Sequence, residues 1–312
     1  MTPKERIISA LNLQQPDDIV PTFEFSFGLT KGLTGKDFMK LDGLTGGELE
    51  RGIKYNAELY LEVAERLDYS AIVSGDTRII KELVRMGADK TYLLTYKNGD
   101  RTWRFYGEEN IAEACSRLFT EPDEFKRRLD RATDSAIKGA KPLIDAGIEC
   151  IVMGADYATT KGPFLSPNMF AEFIAPYLHR TISGHQENGA YVIKHTDGDI
   201  MPILDQIVAC SPDAIHSIDP TAEMDIAVFK KLVGDKVCLA GNVDCAALMK
   251  GSREEVKKSS LYCLKHGKPG GGYIFMTSNS VNPPMKLSDY LLMLELRKEY
   301  GRYDRQVDIP IE

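Results

Sequence analysis

The stretch YVIKHTDGD, residues 191–199, places groups that can do chemistry at the end of a strand-forming run. On a β-strand, residues i and i+2 point to the same side, so His195 and Asp197 share a face. An imidazole beside a carboxylate can bind a divalent metal or act as a proton-transfer pair. The structural alternative is a histidine bonded to a neighbour and an aspartate that caps the helix beginning near Ile200. The spacing leaves both interpretations open.

Six further apolar runs also end in polar or ionisable residues. Asp and Asn are common helix caps, so one such end would be ordinary. In barrels of parallel strands, however, the active site lies at the carboxyl ends of the strands, and seven polar ends in register favour a shared site. The six runs end in Glu24 with Ser26, Asp76, Asp156 with Tyr157, His216 with Asp219, Asn242 with Asp244, and Ser278 with Asn279.

The strand-like runs alternate with amphipathic helical stretches, which predicts parallel strands joined by helical crossovers. No GxGxxG follows a first strand, so a dinucleotide-binding half is not supported. Seven such steps favour an α/β fold of the (β/α)8 TIM-barrel type over an open sheet. We predict a single domain over residues 1–312. The KNGD sequence predicts a β-hairpin insert over residues 91–107.

Composition excludes several classes of protein. The net charge of -7 over 312 residues gives no basic footprint for nucleic acid. No run of 18 or more apolar residues predicts a membrane span, and the amino terminus lacks the apolar core of a signal peptide, which predicts a cytoplasmic location. The six cysteines form no CxxC pair, so we expect buried thiols rather than disulfides.

Four segments carry a family likeness: GPFLSPNMFAEFIAPY, VIKHTDGDIMPILDQI, CLAGNVDCAALMKGSREEV and GGGYIFMTSNSVNPPMKLSDYLLML. They resemble the uroporphyrinogen decarboxylase superfamily, and within it the corrinoid-linked methyltransferases of the methylcobalamin:coenzyme M and O-demethylase types. The resemblance covers most of the chain and implies a distorted (β/α)8 barrel. It is much less specific for one activity within the superfamily.

The decarboxylase branch carries an arginine-rich segment near its first strand, which grips the substrate's carboxylates. No arginine lies between Arg6 and Arg51 here, so a substrate with eight carboxylates would bind poorly. Asp76 does match the pocket aspartate of the decarboxylases. Because it lacks arginine, the segment between Arg6 and Arg51 favours the methyltransferase branch.

The coenzyme M methyltransferases bind zinc through a His-x-Cys pair and a distant cysteine. The matching positions here are His195, Asp197 and Asn279, so the histidine is kept and both thiolates are gone. A site of carboxylate and imidazole is harder than a thiolate site and suits oxygen substrates. We expect His195 and Asp197 as metal ligands. Candidates for a third ligand are Asp76, Asp156, Glu24 and His216.

The resemblance therefore implies a corrinoid-dependent methyltransferase of the O-demethylase type. It would move a methyl group between a small methoxy or methylated substrate and cobalamin on a separate corrinoid protein, with zinc as the candidate metal. A homodimer is a further candidate assembly. The alternatives are a decarboxylase of a carboxylated tetrapyrrole or other acid, and a non-catalytic corrinoid- or tetrapyrrole-binding protein.

Roles in this hypothesis are assigned by position at the strand ends. Aromatic residues near the same ends, Phe25 and Phe27 among them, would suit a flat or apolar ligand. The catalytic candidates are His195, Asp197 and Asp76. The substrate-binding candidates are Glu24, Asp156, Tyr157, His216, Asn242 and Asn279.

Overall fold

The computed structural model of the protein describes residues 1–103, 111–250 and 252–307. Seven strands form one parallel sheet, and two short strands form a separate antiparallel ribbon. In chain order the strands are β1 (Ala71–Val73), β2 (Leu93–Gly99), β3 (Cys150–Gly154), β4 (Ala158–Thr159), β5 (Gly162–Pro163), β6 (Tyr191–Thr196), β7 (Ala214–Ser217), β8 (Cys238–Val243) and β9 (Tyr273–Thr277). The sheet order is β1-β2-β3-β6-β7-β8-β9, and β4 pairs with β5.

Helices connect the strands, as parallel pairing requires. Short 3-10 turns at Ala88–Lys90, Met201–Ile203 and Pro220–Ala222 supplement them. The helices of the described residues are α1 (Pro3–Leu11), α2 (Thr30–Thr34), α3 (Gly46–Arg66), α4 (Thr77–Arg85), α5 (Ile111–Thr120), α6 (Pro122–Ile144), α7 (Pro167–Phe173), α8 (Ala175–Glu187), α9 (Leu204–Ala209), α10 (Ile226–Val233), α11 (Cys245–Lys250), α12 (Arg253–Gly267) and α13 (Leu287–Tyr300).

An extended segment after α1 bridges the two edge strands of the sheet. The carbonyl of Pro21 accepts from the N–H of Phe275 in β9, at 2.9 Å. The carbonyl of Thr22 accepts from the N–H of Ser70, just before β1, at 2.7 Å. Pro21 has no N–H to donate, so the predicted strand over residues 19–26 is an irregular connection. The predicted α/β fold of the TIM-barrel type is confirmed.

The predicted hairpin turn at KNGD does not form. Asn98 and Gly99 instead end β2, which pairs in parallel with β1 on one side and β3 on the other. Local turn preference is overridden because both edges of β2 gain strand partners. Residues 104–107, the second arm of the predicted hairpin, lie outside the described residues. The single domain over residues 1–312 remains a prediction.

Two helices follow Ser166 in close succession. The α7 helix ends at Phe173 and α8 begins at Ala175. Pro176 cannot donate a backbone hydrogen bond to the preceding turn, so the helix is interrupted there.

Most residues of the sheet are apolar and buried, as in other sheets covered by helices, with polar exceptions such as Lys194 and His216. The residues of β3 from Cys150 to Met153 are all buried. All six cysteines are free; five are buried, and Cys115 is partly exposed. Within the part of the chain that the structure describes, no helix is both long enough and apolar enough to cross a bilayer.

Candidate active site

Asp156, His195 and Asp197 converge at the carboxyl ends of β3 and β6. Nε2 of His195 lies 3.8 Å from Oδ2 of Asp197 and 4.0 Å from Oδ1 of Asp156. The backbone N–H of Asp197 donates to Oδ1 of Asp156 at 3.0 Å. Each of the three side chains can offer one ligand atom, and these atoms all lie within 4.8 Å of one another. Of the four candidates for a third ligand, Asp156 is the one that joins the predicted pair.

Two glycines give this cluster its geometry. Gly154 lies opposite His195 in the register of β3 and β6 and leaves space beside the imidazole. Gly198 follows the cluster with φ +89, a left-handed conformation that other residues rarely adopt. A Cβ on Gly198 would also lie 2.7 Å from the backbone of Ala158. The turn after Asp197 therefore requires glycine.

Asn279 contacts the cluster from the far side of the barrel. Its side-chain amide donates to Oδ2 of Asp197 at 2.7 Å. The residue follows β9, so the amide reaches the cluster from a third strand end. The position matched to the distant cysteine of the coenzyme M methyltransferases therefore contacts the position matched to the first.

Hydrogen bonding fixes the tautomer of His195. His216, in β7, places its Nδ1 2.8 Å from Nδ1 of His195 and its Nε2 2.9 Å from the carbonyl of Thr277. A carbonyl only accepts, so Nε2 of His216 carries a proton. Burial lowers the pKa of His216 well below its usual value, and burial lowers that of His195 to about 3, so both rings are neutral. His195 must then donate from Nδ1, which leaves a lone pair on Nε2.

That lone pair lies on the side of two carboxylates. Burial, and then the negative charge of Asp156, raise the pKa of Asp197 to about 6, still below neutral pH. Oδ1 of Asp197 is buried and makes no hydrogen bond to the residues the structure describes. Nε2 of His195 and the oxygens of the two carboxylates thus present lone pairs to one another, although Oδ2 of Asp197 and Oδ1 of Asp156 each also accept one N–H. A divalent cation bound by His195, Asp197 and Asp156 would relieve this repulsion, so the donor set fits a metal.

Glu24 is a neutral acid that contacts the cluster indirectly, through Thr277. The hydroxyl of Thr277 lies against both the carbonyl of Asn279 and, at 2.7 Å, Oε2 of Glu24. The hydroxyl has one proton and must give it to the carbonyl, so the proton in the second contact belongs to Glu24. Burial raises the pKa of Glu24 to about 8, in agreement. Thr277 also accepts the hydrogen bond of His216 and so connects Glu24 to both histidines.

Two cavities lie near the cluster, and a cluster residue lines the smaller of them. The larger, of about 450 Å³, has aromatic walls and is lined in part by Glu24 and Lys97. The ring of Phe25, another lining residue, lies 6.0 Å from the ring of His195 and 4.5 Å from that of His216, between centroids. The smaller, of about 380 Å³, has Asp197 and Asn279 in its wall. We call the larger one the aromatic cavity; its rings are Phe25, Phe27, Phe38, Tyr60 and Tyr69.

Three predicted site residues are engaged elsewhere. Asp76 caps α4 by accepting from the N–H of Arg78 at 2.9 Å and pairs with that guanidinium. Asn242 donates to the carbonyl of Ile218 at 2.7 Å inside the fold. Tyr157 is buried and donates to Asp100. Their polar groups serve local structure, so the structure does not bring them to the cluster.

His216, predicted to bind substrate, is fully buried behind His195 and positions it. Lys97 is a site residue that the sequence reasoning missed, because KNGD was interpreted as a turn. The sequence feature that could have identified Lys97 is the one used for the other site residues, because Lys97 lies near the carboxyl end of a strand, β2.

Relatives in sequence and structure agree with this architecture. The chain is 28% identical over 175 residues to a uroporphyrinogen decarboxylase of Pseudoalteromonas translucida, covering 53% of this chain and 45% of that protein. It is 27% identical over 200 residues to the one of Photobacterium profundum, covering 59% and 52%. The chain thus spans about half the length of the curated relatives it matches.

Two solved structures share the fold. A methyltransferase from Methanosarcina mazei superposes with a TM-score of 0.77 at 17% identity, covering 96% of this chain and 99% of that one. A B12-independent methionine synthase from Shewanella sp. W3-18-1 superposes with a TM-score of 0.55 at 14% identity, covering 90% and 97%. The sequence pattern of the family described as uroporphyrinogen decarboxylase (URO-D) matches residues 106–300, more than half of the chain. The chain, with its barrel and its polar strand ends, therefore belongs to the uroporphyrinogen decarboxylase family.

Proposed function

We propose that this protein is a methyltransferase that moves a methyl group between a small methoxy or methylated compound and a corrinoid held by a partner protein. The observation that carries the proposal is the convergence of the His195 lone pair with the carboxylates of Asp156 and Asp197 near the aromatic cavity. The likeness in fold to a methyltransferase from Methanosarcina mazei supports the reaction class.

A divalent metal, zinc among the candidates, would be held by His195, Asp197 and Asp156, and it would supply Lewis acidity toward an ether oxygen. The corrinoid, when bound, would supply the methyl-accepting centre. The chain's own residues do the positioning. His216 keeps a proton on Nδ1 of His195, so that Nε2 stays free to bind. Asn279 holds Asp197 by one oxygen, and the aromatic cavity excludes water from the substrate's ring.

The second candidate is decarboxylation of a carboxylate-bearing substrate, because the curated relatives are uroporphyrinogen decarboxylases. That reaction on a tetrapyrrole with eight carboxylates calls for several arginine forks. Among the described residues that line the aromatic cavity, Lys97 is the one cation. We therefore expect no turnover of uroporphyrinogen.

The test is methyl transfer to cob(I)alamin from a panel of methoxy compounds, followed by the absorbance change of the corrinoid. We expect transfer by the wild-type protein and a loss of at least about 100-fold in His195→Ala, because a metal ligand is removed. His266→Ala is the matched control, since His266 lies on α12 and packs against Tyr262 away from the cluster. Equal rates in wild type and His195→Ala would refute the site, and decarboxylation of uroporphyrinogen would favour the second candidate.

A further inference from the structure

Lys97 places a positive charge at the solvent-exposed edge of the aromatic cavity, and it has no ion-pair partner among the residues that the structure describes. It stands on β2 opposite Val152 of β3 and lines the aromatic cavity. Val152 and Gly154 are two residues apart on β3 and therefore face the same side of the sheet. Gly154 lies opposite His195. Lys97 therefore belongs to the side of the sheet that carries His195. No ion pair or hydrogen bond joins its ammonium group to the residues the structure describes.

The rest of the aromatic cavity leaves that charge unbalanced. Its one carboxyl group among the described lining residues is Glu24, which hydrogen bonding assigns as a neutral acid. The other walls are aromatic rings, aliphatic residues and the hydroxyl groups of Ser26, Thr30, Tyr60 and Tyr69. A cavity of about 450 Å³ lies in the size range of small-ligand sites. The charge that matches this cavity is one anionic group on an otherwise apolar molecule.

The aromatic cavity also has a fixed relation to the metal-ligand candidates. Phe25 is one of its walls, and the other edge of that ring contacts the histidine pair, with centroids 6.0 Å from His195 and 4.5 Å from His216. Phe25 therefore stands between the aromatic cavity and the histidine pair, and none of His195, Asp156 and Asp197 is among the lining residues of the cavity. A flat molecule stacked in the cavity would lie against Phe25, with Lys97 on an adjoining wall.

We propose that the aromatic cavity binds a small, flat, apolar compound that carries a single negative charge, and that Lys97 pairs with that charge. The inference rests on the proposed function only in naming this compound as the methyl donor. A carboxylate or phenolate would pair with the ammonium group, whereas a neutral or cationic analogue would leave Lys97 unpaired. Lys97 would thus determine specificity.

The probes are 4-methoxybenzoate and its neutral counterpart 4-methoxybenzyl alcohol, titrated calorimetrically into the full chain without metal or cobalamin. We expect the acid to bind more tightly than the alcohol. Lys97→Met should weaken binding of the acid by about 10-fold or more, as expected for loss of a charged hydrogen bond. Binding of the alcohol should stay within about twofold, since the apolar walls are unchanged. Lys236→Met, on an exposed connection, is the control for loss of a lysine.

The outcomes separate the two proposals. Equal binding of acid and alcohol, an equal effect of Lys97→Met on both, or no binding of either would overturn the inference about Lys97. Binding of the acid through Lys97 without methyl transfer from any methoxy compound would contradict the proposed function and leave the cavity assignment intact. Circular dichroism of each variant verifies that the fold is retained.

Discussion

At the scale of single residues, protonation rather than position decides what the site can do. The lone pair on Nε2 of His195 exists because His216 gives its own proton to the carbonyl of Thr277. Thr277 in turn is held by the protonated Glu24. A buried acid two contacts away from the cluster therefore sets the orientation of its imidazole. Such a chain is stable only while each member keeps its proton.

Glu24 should make stability depend on pH. Its pKa is about 8 in the folded protein, against 4.5 as the ordinary value, so the folded state holds a proton that the unfolded state releases. The stabilising contribution is complete below about pH 4.5 and is lost as pH rises toward 8. At its steepest the slope is about 1.4 kcal/mol per pH unit. Urea unfolding from pH 5 to 9 should show this extra slope in wild type and not in Glu24→Gln.

Glu187→Gln is the control, because Glu187 is exposed on α8. Its unfolding curve should follow that of wild type across the pH range. Parallel stability curves for wild type and Glu24→Gln would show that Glu24 is ionised in the folded state, which would contradict the hydrogen-bond assignment.

The i, i+2 spacing on a strand was enough to predict that His195 and Asp197 share a face. It could not choose Asp156 over Asp76, because both follow apolar runs and only Asp76 has an arginine two residues on that draws it away. Nor could the sequence predict that Tyr157 turns away from the cluster, since that depends on the buried Lys194 and Asp100. Which side chains reach the cluster depends on partners from distant parts of the chain, and the local sequence pattern does not contain this information.

At the scale of elements, Lys194 ties together the strand ends that carry the site. It directly precedes His195 on β6, so the two side chains face opposite sides of the sheet. Its ammonium group donates to the carbonyls of Ala155 and His195, at 2.8 Å each. It also pairs with Asp100 at 3.1 Å and lies 4.1 Å from the ring of Tyr157. Burial opposes the charged form of Asp100, but the adjacent Lys194 holds the pKa of Asp100 below its usual value. The ends of β2, β3 and β6 are thereby joined.

Lys194→Met should loosen this junction. The substitution leaves the fully buried Asp100 without its counter-charge, and removing one partner of a buried pair costs about 3–5 kcal/mol. We expect the free energy of unfolding to fall by that amount, measured by urea denaturation. The double variant Lys194→Met with Asp100→Asn should recover part of the loss, because no buried charge remains. Equal losses in the single and double variants would mean that the charge pair is not what matters.

The elements themselves were mostly predictable, because long apolar and amphipathic runs determine them. The error at β2 has a local cause. KNGD resembles a turn, yet β2 continues to Gly99 because β1 and β3 flank it. The error at β2 also hid Lys97, so an error about an element became an omission in the site.

At the scale of the whole molecule, the barrel assembles the cluster from positions far apart in the chain. Asp156 follows β3, His195 ends β6, and Asn279 follows β9, so none of these contacts can form in an unfolded chain. A ligand that needs all of them binds the folded state alone. Binding of a metal at the proposed site would therefore raise global stability.

Zinc should raise the melting temperature of the protein. At a free concentration of about 100 times its dissociation constant, a ligand specific for the folded state adds about 2.7 kcal/mol, which corresponds to a shift of about 4 °C for a chain of this size. Asp197→Asn should lose most of the shift, because the carboxylate becomes an amide of nearly the same shape. Asp205→Asn, on the exposed side of α9, should keep it. Chelation by EDTA should return the wild-type protein to its metal-free melting temperature, and a zinc-induced shift that survives in Asp197→Asn would place the metal somewhere other than between His195, Asp197 and Asp156.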